Sequence, residues 1–165
     1  MNTNKSDLSD LLSMSYEEVE KLVDEIGEKP YRAEQLYGWL HKRGASSYED
    51  MRNLPKAMKE KLKGRVTFFF PRIREKQVSK LDGTKKYLFE LADGECVESV
   101  WMSYHHGNSV CISSQVGCRM GCTFCASTLL GLTRNLSAGE MLAQVYAIER
   151  DTKERVSNVV VMGTG

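Results

Sequence analysis

SVCISSQVGCRMGCTFC, at residues 109–125, is the stretch that decides the fold class, because a short apolar strand runs directly into a loop rich in glycine and cysteine. Downstream, Ser137 and Glu140 have the spacing of a capping box, which predicts the start of a helix. The continuous apolar run at residues 159–162 then predicts a strand of the kind that is buried inside parallel sheets. Strand, loop, helix and strand in this order predict a βαβ unit of an α/β protein over residues 105–165.

The predicted helix has an apolar stripe of its own. Met141, Val145 and Ile148 recur at helical spacing, so we expect their side chains to face the sheet. One βαβ unit supplies two parallel strands, whereas a parallel sheet needs more, and the sequence stops soon after the second strand. We therefore expect these 165 residues to be part of a longer protein.

The first third of the chain has the pattern of short helices. Ser15 and Glu18 form another capping box, Gly27 ends that helix, and Pro30 begins the next one, where a missing N–H costs nothing. A third helical stretch, interrupted by a proline, completes a predicted helical accessory domain over residues 1–64.

From residue 65 the hydrophobic pattern changes to that of strands. The predicted strands are at residues 66–70, 73–80, 86–91 and 96–103. Asp82-Gly83 and Asp93-Gly94 separate consecutive strands, and an Asp-Gly pair is a strong signal for a hairpin turn. Residues 65–104 are therefore predicted to form an antiparallel β meander.

Composition limits the class of protein. With 41% hydrophobic and 27% charged residues, the chain can form a globular core, and disorder is not expected. The sequence contains no apolar run long enough to span a bilayer, and its first ten residues lack the apolar core of a secretory signal. We expect a monomeric cytoplasmic protein with no membrane partner.

Positive charge is concentrated in one stretch although the net charge is only +1. Residues 52–86 contain twelve Lys and Arg against three acidic residues, a balance of +9. Such a field suits a phosphate backbone, and it is equally compatible with an ordinary solvated surface.

Three of the five cysteines lie within eight residues, as Cys118, Cys122 and Cys125 in a C-x3-C-x2-C pattern. In a reducing compartment, clustered cysteines more often bind metal than form disulfides. Three thiolates can bind three irons of a [4Fe–4S] cluster, which usually has four cysteine ligands, so one iron stays open for chemistry. The alternative is a zinc site, whose fourth ligand would come from Cys111, His105 or His106.

This cysteine spacing resembles the radical S-adenosylmethionine superfamily. The resemblance implies that the open iron binds the amino and carboxylate groups of S-adenosylmethionine, and that one electron then yields a 5′-deoxyadenosyl radical. Phe124 matches the superfamily's aromatic residue and would shield the cluster. Gly163, Thr164 and Gly165 resemble the start of the Gly-rich loop that meets the methionine amino group. The implied fold is the start of a partial (βα)6 barrel, preceded by the helical domain and the meander.

Longer motifs are similar to the RlmN/Cfr family of rRNA adenine methyltransferases. They are Glu98-Ser99-Val100, residues 111–118 (CISSQVGC), residues 131–136 (GLTRNL), residues 30–36 (PYRAEQL) and Asn53-Leu54-Pro55. The family implies methyl transfer to carbon 2 of an adenine in 23S rRNA and in tRNA, through a methyl-cysteine beyond this chain. Transfer to carbon 8, the Cfr type, is the alternative. An electron donor such as flavodoxin is also implied, and we expect the 165 residues alone to be inactive.

Two further residues receive roles from this resemblance. Glu98 matches the family's proton acceptor, and Cys111 matches the cysteine that forms a transient disulfide with the methyl-carrying one. Strand alternation puts Glu98 on one face with Cys96, Val100 and Met102, so its pKa would be raised by apolar neighbours. Without the resemblance, Glu98 would be a surface residue and Cys111 a small buried one. A non-catalytic, metal-bearing RNA-binding module is the competing class of function.

Overall fold

The structure is a computed structural model that describes residues 8–129, 131–162 and 164. The chain divides into two compact units, of which the first ends at Phe70 and the second begins at Pro71. The three domains predicted from the sequence, at residues 1–64, 65–104 and 105–165, stay a prediction. No helix within the described residues is both long and apolar enough to cross a membrane.

The first unit is helical. It contains a 3-10 turn at Leu11–Ser13 and the helices α1 (Tyr16–Glu25), α2 (Tyr31–His41) and α3 (Lys56–Lys63). Its fully or almost fully buried core consists of Leu11, Leu12, Val19, Val23, Ala33, Leu36, Leu40, Met51, Met58 and Leu62. Burial of these apolar side chains is the main source of stability for helices this short, which would be marginal alone.

The predicted boundaries of α1 are confirmed. The Ser15 hydroxyl accepts from the Glu18 N–H, and the Glu18 carboxylate accepts from the Ser15 N–H at 2.7 Å, so both members of the capping box are in place. Gly27 follows the helix with a φ of +71°, a left-handed conformation that only glycine adopts without strain. The local sequence therefore fixes both ends of this helix.

The strand predicted at residues 66–70 is wrong. Among the residues that the structure describes, this segment makes one bridge, in which the Thr67 N–H donates to the Ser9 carbonyl and the Thr67 carbonyl accepts from the Leu11 N–H. Phe68 packs edge-on against Tyr48 of the same helical unit, with ring centroids 5.4 Å apart. Aromatic and β-branched composition alone suggested a strand, but none of the strands in the described part of the chain pairs with this segment.

The second unit is an α/β layer. In chain order its described elements are β1 (Arg72–Val78), β2 (Lys85–Glu90), β3 (Cys96–Tyr104), β4 (Gly107–Ile112), β5 (Gln115–Gly117), β6 (Leu132–Asn135), α4 (Ala138–Thr152) and β7 (Val156–Val161). The main sheet has the order β1-β2-β3-β4-β7, and β5 pairs with β6 separately.

Strand β4 joins the predicted meander to the predicted βαβ unit. It is antiparallel to β3, with Val100 opposite Cys111, and parallel to β7, with Cys111 opposite Val160. The two Asp-Gly hairpins are confirmed, since β1, β2 and β3 pair in antiparallel order around them. One continuous sheet therefore contains both parts, and β4 marks the change from antiparallel to parallel pairing.

Helix α4 covers one face of this sheet. Its Ser137–Glu140 capping box is confirmed, but the predicted inward stripe is only partly right, because Met141 and Val145 are half-buried. The buried residues of the helix are Gly139, Ala143, Gln144, Ala147 and Ile148. Because small side chains let a helix approach a sheet closely, the face of α4 that contacts the sheet is the one that carries Ala143 and Ala147.

Strand β7 is parallel, as predicted, but it is not buried. Val159, Val160 and Val161 are 49%, 38% and 56% exposed, and among the described strands β7 lies at the edge of the sheet, beside β4. Its apolar sequence is typical of a parallel strand with both faces covered.

Candidate metal and catalytic site

The cysteine loop, defined as residues 118–131, leaves the sheet at the carboxyl end of β4. Its base is a short antiparallel ladder in which Gln115 is opposite Asn135 and Val116 is opposite Arg134. The sequence prediction treated this whole segment as irregular and missed the ladder. No sequence signal marked it, since β6 is only four residues long and contains one apolar residue, Leu132.

Two glycines, one at the last position of β5 and one inside the cysteine loop, have different surroundings. Gly117 has a φ of +72°, and a Cβ added there would lie 2.0 Å from the carbonyl oxygen of Gly131. Gly121 has a similar φ of +68°, but a Cβ there would meet nothing within 4 Å. Only Gly117 therefore permits a close crossing of the two backbone segments at the base of the loop.

The three loop cysteines differ in exposure. Cys118 is buried, Cys125 is half-buried and Cys122 is exposed, while Phe124 near the tip is 91% exposed. The turn is held by the Cys125 N–H, which donates to the Cys122 carbonyl at 3.1 Å, and by Thr128, whose hydroxyl donates to the Cys125 carbonyl at 2.9 Å.

Three thiols on one glycine-hinged loop are the donor set of a [4Fe–4S] cluster with an open iron, so the residues fit that group in their chemistry. Within residues 8–129, 131–162 and 164, no three His, Cys, Asp or Glu side chains are close enough to hold one metal ion. A cubane does not require such convergence, because each thiolate binds a different iron.

The structure separates the histidines of the zinc alternative from the cysteine loop. His105 and His106 form the turn between β3 and β4, at the amino end of β4, and the loop leaves from its carboxyl end. Six residues of strand span about 20 Å, whereas a zinc ligand must lie within about 2.3 Å of the metal. Neither histidine can complete a site with the loop cysteines in this arrangement.

Glu98 and Cys111 lie on the same face of the sheet, opposite to α4. Val100 is directly across from Cys111, and Glu98 is two residues further along the same strand, so the two candidates are diagonal neighbours. The apolar surroundings expected for Glu98 are absent: its side chain is 54% exposed and forms an ion pair of 2.8 Å with Lys86. No described element covers this face of the sheet. The hydrogen bond that Lys86 donates to Glu98 raises the pKa of Lys86.

Thr164 lies at the base of the cysteine loop. Its N–H donates to the Ser113 hydroxyl at 3.1 Å, and its carbonyl accepts from the N–H groups of Ser114 and Gln115, both at 3.0 Å. Gly163 and Gly165, the other members of the predicted cofactor turn, lie outside the described residues. The structure therefore brings one residue of that turn to the segment that leads into the cysteines.

Sequence reasoning missed three polar residues around this site. Ser113 and Gln144 are fully buried and hydrogen-bonded to each other, and Arg134 bridges Asp93 and Glu140. For Gln144 a signal was present, because a polar residue within the apolar stripe of a helix must have a buried partner.

Comparison with known proteins identifies the family. Residues 9–68 match the family described as ribosomal RNA large subunit methyltransferase N-terminal domain. Over 158 residues the chain is 55% identical to a probable dual-specificity RNA methyltransferase RlmN from Lachnospira eligens, covering 96% of this chain and 45% of that protein. The chain belongs to the RlmN family. The RlmN relative from Bacillus subtilis is 50% identical over 158 residues, covering 94% of the chain and 43% of the relative.

A solved structure agrees with this family. The crystal structure of a radical SAM methyltransferase from Sphaerobacter thermophilus superimposes with a TM-score of 0.86 at 38% identity, covering 95% of this chain and 47% of that one. The RlmN family chain therefore has the α/β fold of the corresponding part of a radical SAM methyltransferase. It spans less than half the length of the curated relatives that it matches.

Proposed function

We propose that this chain forms the first part of a radical S-adenosylmethionine enzyme that methylates carbon 2 of an adenine in 23S rRNA and in tRNA. The observation that supports the proposal best is the position of the three-cysteine loop. It leaves the carboxyl end of β4, and Cys111 on that strand shares a sheet face with Glu98. The three loop cysteines, the Cys111 thiol and the Glu98 carboxylate therefore lie at the same end of one sheet. Cys111 and Glu98 also share one face of it.

Cys118, Cys122 and Cys125 would hold the [4Fe–4S] cluster, and Phe124 at the loop tip would exclude water from it. Gly163, Thr164 and Gly165 would contact the methionine part of S-adenosylmethionine. When bound, the cluster and S-adenosylmethionine supply a radical that can abstract a hydrogen atom. This chemistry is needed because an aromatic C–H carbon is a poor nucleophile for ordinary methyl transfer.

Glu98 would accept the proton that leaves the adenine ring. In the structure its carboxylate is paired with Lys86 at 2.8 Å, and both side chains are about half exposed. An exposed ion pair contributes only about 0–1 kcal/mol, so Glu98 can exchange Lys86 for a substrate at little cost.

Cys111 would release the product by attacking the sulfur of the methyl-carrying cysteine outside this chain, so that the disulfide forms as the bond between that sulfur and the adenine-linked carbon breaks. Its side chain is half-buried on the same face as Glu98, and Val160 of the edge strand flanks it. A thiol at this position can be reached by a partner approaching the uncovered face of the sheet.

The helical unit would bind RNA. The Arg43 guanidinium lies 4.3 Å from the ring centroid of Trp39, and the Arg32 guanidinium lies 4.9 Å from that of Tyr31. Arginine and aromatic planes stack on unpaired bases, and arginine also contacts phosphate, which suits shape-based recognition of RNA. We propose rRNA and tRNA as partners of a monomeric cytoplasmic enzyme, with flavodoxin or a similar protein as electron donor.

The test uses the protein in its full natural length, reconstituted anaerobically with iron and sulfide. We expect a reduced [4Fe–4S] EPR signal that S-adenosylmethionine perturbs and that Cys118→Ala, Cys122→Ala and Cys125→Ala each abolish. Stoichiometric zinc without such a signal would refute the proposal. Mass analysis of the methylated adenine distinguishes carbon 2 from carbon 8.

The role of Glu98 needs a matched pair of variants. Glu98→Gln should abolish methylation while the cluster signal and RNA binding persist, because only the proton acceptor is lost. Glu95→Gln, three residues away in the preceding turn, should methylate at the normal rate. Equal activity of both variants would rule out Glu98 as the base.

A further inference from the structure

The Ser113 hydroxyl joins three parts of the second unit. It donates to the Glu98 carbonyl at 2.7 Å and accepts from the Thr164 N–H at 3.1 Å, and Ser113 has no exposed surface. Ser113 itself lies between the end of β4 and the ladder that opens the cysteine loop. One side chain therefore connects the strand of the candidate base, the segment leading to the cysteines, and Thr164, three residues after the end of β7.

Gln144 of α4 holds Ser113 from the other side. Its side-chain carbonyl accepts from the Ser113 N–H at 3.0 Å and from the Ser99 hydroxyl at 2.7 Å. Its amide group donates to the carbonyls of Ser113 at 3.0 Å and Glu140 at 3.3 Å. Gln144 is 0% exposed and uses both of its donor hydrogens and both acceptor positions.

A fully satisfied buried network of this kind resists distortion. Moving any member leaves a buried donor or acceptor without a partner, and such a group bears the full desolvation penalty. The N–H groups of Ser114 and Gln115, which both donate to the Thr164 carbonyl, extend the network to the first residue of the loop ladder. The distance between Thr164 and the base of the cysteine loop is thus set by the fold.

We propose that Ser113 and Gln144 are positioning residues that hold Thr164 at a fixed spacing from the cysteine loop. This inference rests on the proposed function, in which S-adenosylmethionine must contact the cluster and the turn containing Thr164 together. Ser113 and Gln144 are then determinants of S-adenosylmethionine affinity. Neither side chain needs to touch the cofactor. The effect passes through the main chain of Thr164, whose N–H and carbonyl are both engaged by the network.

The structural half of the proposal is tested without any cofactor. In the full-length, cluster-free protein, Ser113→Ala should speed hydrogen exchange in peptides spanning residues 114–115 and 164 by about tenfold, since a buried hydrogen bond is lost. Ser109→Ala is the matched control, because Ser109 is a buried serine of β4 whose hydroxyl accepts a long hydrogen bond, at 3.5 Å from the Asn158 amide nitrogen. Equal exchange in the two variants would overturn the proposal.

The cofactor half uses the reconstituted protein and EPR spectroscopy. Ser113→Ala should keep the reduced cluster signal, whereas the S-adenosylmethionine concentration that half-saturates its perturbation should rise about tenfold. Loss of the cluster itself, or unchanged half-saturation, would overturn the proposal. If Ser113→Ala does not fold, Ser99→Ala is the second variant, because it removes only the hydrogen bond from Ser99 to Gln144. Its half-saturating S-adenosylmethionine concentration should rise about threefold, and an unchanged concentration would overturn the proposal.

The two proposals fail separately. A wild-type protein without a cluster or without a response to S-adenosylmethionine refutes the proposed function, and the exchange experiment still decides whether Ser113 fixes Thr164.

Discussion

Replacing Arg134 by methionine should loosen the base of the cysteine loop. Arg134 lies in β6, and its guanidinium donates to Asp93 at 2.7 Å and to both oxygens of Glu140 at 2.9 and 2.8 Å. It therefore ties the β5–β6 ladder to the β2–β3 turn and to the first turn of α4. The hydrogen bonds to Glu140 and Asp93 raise the pKa of Arg134, which stays charged at every accessible pH.

The size of the effect follows from the exposure of each partner. The Asp93 side chain is 40% exposed, so that pair contributes about 0.5 kcal/mol. The Glu140 side chain is only 18% exposed and is bound by two parallel bonds, so that pair contributes about 1.5 kcal/mol. Together they stabilise the clamp by about 2 kcal/mol, which corresponds to roughly 30-fold in an opening equilibrium.

Native-state hydrogen exchange measures this opening directly. In Arg134→Met, which keeps an aliphatic stem, peptides over residues 115–117 and 132–135 should exchange about 30-fold faster than in the wild type. Asp93→Asn, which removes only the weaker pair, should give about a twofold change. Unchanged exchange in Arg134→Met, or a uniform acceleration across β2 and β3, would refute the idea of a local clamp.

Three further predictions concern the same unit. Gly117→Ala should prevent cluster incorporation, measured as bound iron, because the new Cβ would overlap the carbonyl oxygen of Gly131. Gly121→Ala should still bind iron, and left-handed backbone strain should lower its free energy of unfolding by only about 1–2 kcal/mol. Tyr87→Phe should lower the free energy of unfolding in urea by about 1 kcal/mol, since a hydroxyl bound to a carboxylate of α4 is lost. The hydrogen bond from Arg134 lowers the pKa of Asp93, so its stabilising contribution should be complete at neutral pH and should be lost as the pH falls through the depressed pKa of this carboxyl, as followed by acid unfolding.

Local signals in the sequence predicted the elements well. The capping boxes at Ser15 and Ser137 and the Asp-Gly turns depend on groups within four residues, so their chemistry is visible in the sequence. The cysteine spacing and the βαβ order likewise predicted an α/β unit in which the cysteines follow the first strand. The comparisons confirm the family and the fold class.

Contacts between distant segments were not predictable in the same way. The segment at residues 66–70 has strand-like composition, but whether it pairs depends on a neighbour that no local pattern reveals. The exposure of Glu98 and of β7 depends on what covers their side of the sheet. Gln144 was missed because its partners Ser99 and Ser113 are far away in sequence.

The mixed sheet also imposes an order on folding. Strands β1 to β4 pair with their chain neighbours, whereas the β4–β7 pair joins Ile112 to Val161 and must close a long loop first. During synthesis from the amino end, the meander and the β5–β6 ladder can therefore form before β7 docks and brings Thr164 to Ser113. Pulse-labelling hydrogen exchange should find β2 and β3 protected ahead of β7. The loop that would receive iron is then complete, for a time, before the segment proposed to hold its organic cofactor arrives.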